Sequence, residues 1–176
     1  MAEPENVLAD KGYLSERSDL TIMRLFIFVL MMVLAFAASA PASAFTFESI
    51  QYGVEIYNSG VANAPEIVKA LLGDEKIQVE ITRADGTALM AGLETKNAVI
   101  VNATEGEIED PTIVVEATDD AITRIYEADD PVTAFEEAQK DGAISVRGTT
   151  FTSKLKVSAA LASTPALRFF ASLIGK

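Results

Sequence analysis

From Leu25 to Ala37 the chain is apolar without a break, thirteen residues in a row, and Arg24 stands directly before them. A helix apolar on every side has no face for water, so such a run suits a deep core, a bilayer or a leader. Small residues follow from Ala38 and end in Ala42, Ser43 and Ala44. A charged flank, a short apolar stretch and an Ala-x-Ala tail form the pattern of a secretory signal. Extended to Phe47, the stretch from Leu25 has 23 residues. That length can cross a hydrocarbon core of about 30 Å. Three parts are therefore expected: a polar arm over 1–22, which falls away if Met23 is the true start; a signal peptide or membrane anchor over 23–44; and an exported domain over 45–176. Lys11, Arg17 and Arg24 precede the run, and no Lys or Arg follows until Lys69. Positive charge stays inside, so the domain is expected to be extracytoplasmic or secreted, or held at the membrane through residues 25–47.

Composition removes much chemistry. The 176 residues contain no His, no Cys and no Trp. A Ser-His-Asp or Cys-His nucleophile cannot be built, nor can a zinc site of His and Cys ligands. Five of the 26 acids and three of the 14 bases precede Phe45, which leaves 21 and 11 and a net charge of −10 for the last 132 residues. A nucleic-acid partner needs clustered Lys and Arg and is not expected.

Within 45–176 the pattern reads as α+β. Phe45 to Asn63 is a mixed lead-in with turns at Gly53 and Gly60. A short helix follows Pro65, with Asn63 as its cap and Gly73 as its stop. Ile77, Val79 and Ile81 alternate along a strand. Asp85 and Gly86 mark a hairpin, Gly92 a bulge in the returning strand, and Lys96 and Asn97 a second turn. Strands over 98–103 and 112–117 complete a four-stranded antiparallel meander. Asp119 and Asp120 then favour a helix start, and Asp130 caps a second helix with Pro131 in its first position. Ile144 and Val146 share a face of a fifth strand. The last 25 residues are helical in composition, broken at Pro165 with Thr164 as the new cap.

The segment from Thr112 to Gly148 is similar to the sterol carrier protein 2 family. The shared order is a Val-rich strand over 112–118, an acidic helix start at Asp119 and Asp120, and Pro131 followed by Ala134 and Phe135. Then come Gly142, Ile144, Val146 and Gly148. With the hairpins the resemblance covers roughly 76–175. It implies a five-stranded, mainly antiparallel sheet covered by helices, with an apolar tunnel between them. It also implies binding or carriage of a lipid without covalent chemistry and without a cofactor. Phe135, Ile144 and Val146 match motif positions beside that tunnel, and Leu155 and Leu161 fall in the helix that closes it. Pro165 interrupts that helix, so the tunnel is expected to be short or partly open.

Other signals point to ordinary structure. Glu105, Glu107, Glu109 and Asp110 read as a solvated acidic loop, since their spacing fits no calcium loop. The functional expectation is a non-enzymatic lipid or apolar-ligand binder at or outside the cytoplasmic membrane, reached through its N-terminal segment. The alternative is a cell-envelope structural or interaction module with a filled core. Neither the lipid nor a protein partner is legible.

Overall fold

The computed structural model describes residues 45–173. Alternation sets its central strand, β1 (Lys76–Thr82), where Ile77, Val79 and Ile81 are all fully buried. The Asp85–Gly86 turn returns the chain as β2 (Ala88–Lys96), antiparallel to β1. Asn97 at φ 50° and Ala98 at φ 66° turn it again into β3 (Val99–Glu105). Then β4 (Ile113–Thr118) and β5 (Ile144–Gly148) complete a five-stranded sheet of order β3-β2-β1-β4-β5.

The strands do not form the expected four-stranded antiparallel meander. The sheet is mixed, because β4 lies beside β1 and runs parallel to it. Strand β3 stops at the level of Ala91, in mid-sheet. The chain then crosses the sheet through residues 106–112 and re-enters beside Ile77. Alternation reports which face a residue takes but not which strand is its neighbour, so the sequence pattern left this crossover unseen.

Register places three apolar rows on one face: Leu93, Ile77 and Ile113; Ala91, Val79, Val115 and Val146; Leu89, Ile81, Ala117 and Ile144. All are buried. The helices cover this face. They are α1 (Phe47–Gly60), which continues into a 3-10 turn over Val61–Asn63, and α2 (Glu66–Leu71). After β4 come α3 (Asp119–Glu127) and α4 (Pro131–Lys140), and after β5 come α5 (Phe151–Leu161) and α6 (Thr164–Leu173).

The 14-residue α1 replaces the expected lead-in. Its N-terminus carries a reciprocal capping box between Thr46 and Ser49. Gly53 sits inside the helix and is buried. Pro65, not Asn63, is the N-cap of α2, with no side-chain bond. Thr118 caps α3 through Ala121 N, while Asp119 and Asp120 occupy its first turn, where carboxylates suit the helix dipole. Gly92 lies in regular strand, and the register shift falls between Glu94 and Thr95.

Strand β3 is a sheet edge. The Asn58 amide, carried by α1, meets both backbone groups of Ile100: Nδ2 donates to the carbonyl at 2.9 Å and Oδ1 accepts the N–H at 2.9 Å. Beside it the buried Tyr57 hydroxyl donates to the Ala98 carbonyl at 2.7 Å. Burial pushes the Tyr57 phenol far above its ordinary pKa.

Residues 1–44 lie outside the described residues, and with them the expected arm, the apolar run and the Ala-x-Ala tail. Among the described residues no helix is long and apolar enough to cross a membrane.

Candidate functional site

The expected ligand-binding residues fall on α4, β5 and α5. Asp130 fixes the start of α4: its carboxylate accepts the N–H groups of Val132 and Thr133 and the Thr133 hydroxyl. Those bonds, the hydroxyl first, hold its carboxyl below the usual range. Phe135 lies one turn further on and is fully buried. Ile144 and Val146 point from β5 into the same core, so these three residues belong to one apolar layer. Pro131 and Gly142, at either end of α4, supply the fixed φ and the left-handed turn (φ 72°) that bracket it.

Helix α5 is pressed tightly against β5. A Cβ on Gly148 would lie 2.3 Å from Lys154 N and 2.4 Å from Ser153 C. A Thr150–Ser153 capping box fixes the turn between them. The inner face of α5 is Ser153, Val157 and Ala160, at the i, i+4, i+7 spacing of one helical face. Leu155 is two residues off that face and 63 % exposed, next to Phe151 at 85 %. The structure therefore brings Phe135, Ile144 and Val146 together and places Leu155 on the opposite side of α5. Leu161 is the last residue of α5.

A break after α5 separates it from α6, as Pro165 suggested, but Thr164 is the first residue of α6 and not its cap. Helix α6 directs Ala166 and Phe170 inward. The Phe170 ring stacks on Tyr57 at 6.3 Å and 7°, and Phe169 meets Phe170 edge-on at 5.1 Å. Gly60 makes room for Leu173, whose Cδ2 would be 2.7 Å from a Cβ there. Tyr57, Val157 and Phe170 were not legible as layer residues. The available signal was the helical spacing of Ile50, Gly53, Tyr57 and Val61, which the two glycines obscured.

One ion pair joins α5 to the sheet. The Glu75 carboxylate, its side chain only 6 % exposed, accepts from Lys156 Nζ at 2.7 Å. Among the described residues no group of three or more His, Cys, Asp or Glu could hold a metal ion.

Solved structures similar to this one include sterol carrier protein 2 domains. A Thermus thermophilus protein, described as a candidate sterol carrier protein, aligns over 78 % of this chain and 94 % of its own, at 14 % identity and TM-score 0.47. Domain 2 of the Helicoverpa armigera sterol carrier protein aligns over 75 % and 96 %, at 14 % identity and TM-score 0.46. Apo sterol carrier protein 2 from Yarrowia lipolytica aligns over 76 % and 98 %, at 15 % identity and TM-score 0.43. The chain matches no protein-family model and no curated protein.

Proposed function

We propose that this chain binds or carries a lipid or another apolar ligand, without catalysis, between the inner face of its sheet and helices α4 to α6. The observation that carries the reading is the side-chain chemistry of that layer. Phe135, Ile144, Val146, Val157 and Phe170 line it from four different elements. An alkyl chain entering such surroundings gains about 0.8 kcal/mol for each CH₂ removed from water. The motif order from Thr112 to Gly148 supports the same reading. Export, with a membrane hold through the N-terminal apolar run, belongs to this proposal.

The test is mass spectrometry of lipid co-purified with the full chain, together with uptake of a fluorescent fatty acid. One acyl chain per protein, and weaker uptake in Phe135→Leu at unchanged fold, are expected. A preparation that holds no lipid and takes up no probe after mild delipidation refutes the reading and favours the interaction module.

A further inference from the structure

Strand β3 carries a motif that lipid binding does not use. Asn102, Ala103 and Thr104 form the Asn-x-Thr acceptor pattern of N-glycosylation. The chain has five asparagines, and Asn102 alone has a Ser or Thr two places on. The pattern is short, and its weight comes from where the fold puts it. Register pairs Asn102 with Glu94 and Thr104 with Gly92. Both side chains therefore stand on the sheet face opposite the buried row of Leu93 and Ala91. The crossover folds over Gly92, where a Cβ would come within 2.7 Å of the Ile108 Cβ, and Gln78 Oε1 holds it there by accepting the Ile108 N–H at 2.8 Å. Asn102 and Thr104 stay exposed. Other asparagines serve the fold: Asn58 seals the Ile100 backbone, and Asn97 takes a left-handed turn at φ 50°. The Asn102 carboxamide has no hydrogen-bond partner among the described residues, so modifying it costs the fold no contact.

We infer that Asn102 is the attachment site of an N-linked glycan, donated by an oligosaccharide carried on a polyprenyl phosphate or diphosphate. Asn102 Nδ2 attacks the anomeric carbon of the first sugar. The bond from nitrogen to that carbon forms as the bond from the carbon to the phosphate oxygen breaks. The amide gives up one proton, the polyprenyl phosphate or diphosphate leaves, and nothing is oxidised or reduced. The transferase reads the hydroxyl at the third motif position, which Thr104 supplies. Transfer takes place on the far side of the membrane, so the inference rests on the export proposed above and is independent of lipid binding. The glycan stands beside Val101, 58 % exposed on the edge strand, and its bulk keeps another chain from adding to that edge.

The test is peptide mapping of the full chain isolated from the cells that make it, with protease accessibility on intact cells to report its side of the membrane. Trypsin cuts after Lys96 and Arg124 and releases residues 97–124 as one peptide, which holds both Asn97 and Asn102. Mass spectrometry should find sugar increments on this peptide, and fragmentation should place them on Asn102, with Asn97 bare as the internal control. Thr104→Val, which keeps Asn102 but removes the hydroxyl, should lose the glycan, and Thr104→Ser should keep it. A chain that is accessible outside and carries an unmodified peptide overturns this inference and leaves export standing. A chain that is protected inside and unmodified overturns both. A glycan that persists in Thr104→Val also overturns the assignment. The wild-type peptide decides the matter even if a variant folds poorly.

Discussion

Replacing Lys156 by Met should destabilise the protein out of proportion to its place on a helix surface. The change removes the partner of Glu75, whose side chain is 6 % exposed, and leaves a carboxylate with no counter-charge in a low-dielectric setting. Breaking a fully buried pair by deleting one member costs about 3–5 kcal/mol. Here Lys156 itself is 35 % exposed, so water reaches one end of the pair and the cost falls to roughly 2 kcal/mol. With a urea slope near 2 kcal/mol per molar, the unfolding midpoint of Lys156→Met should drop by about 1 M. Glu75→Gln should cost about 1 kcal/mol or less, because the freed ammonium can turn to solvent. The double variant should be about as stable as Glu75→Gln alone, a coupling of roughly 2 kcal/mol. Urea unfolding of the four proteins, followed by circular dichroism, measures this cycle. Strictly additive losses, or a Lys156→Met midpoint within about 0.2 M of wild type, would refute the view that this pair fastens α5 to the sheet.

Two further outcomes follow from local geometry. Gly148→Ala should cost about 1–3 kcal/mol, since the new Cβ meets the α5 backbone at 2.3 Å. Gly73→Ala, whose nearest neighbour would be Lys69 O at 3.6 Å, should be tolerated, and similar melting temperatures for both variants would contradict this. Asp130 and Glu116 titrate below their ordinary values, Asp130 through Thr133 and Glu116 through Arg147. A carboxyl lowered by folding stabilises above its unfolded pKa, near 4, and loses that contribution as pH falls through its folded value. Urea midpoints should therefore decline below about pH 4, and less steeply in Asp130→Asn, which keeps a cap oxygen but cannot titrate. An unchanged acid profile in that variant would exclude Asp130 as a contributor.

The sequence disclosed the parts that depend on local chemistry. Alternation revealed β1, Asp130 and Pro131 revealed the start of α4, and Gly142, Ile144 and Val146 revealed β5. What it withheld depended on distance along the chain. The pairing of Val79 with Val115, and the fit of Ile108 over Gly92, join residues separated by a crossover that leaves no periodic trace. Helix α1 hid because Gly53 and Gly60 weaken helical propensity, whereas Gly60 is needed to admit Leu173. In the candidate site, the motif identified Phe135, Ile144 and Val146 as one cluster. It could not orient Leu155, since α5 carries apolar residues on both sides and only packing chooses between them.

The Asn58 amide has a consequence for solubility. By occupying the outward N–H and C=O of Ile100, it acts as a one-residue sixth strand and closes a docking point that another chain would otherwise use. Val101 beside it is exposed and β-branched, a good template for strand-by-strand stacking. With the Tyr57 hydroxyl on the Ala98 carbonyl beside it, this carboxamide stands between a sheet that ends and one that could grow into a fibre.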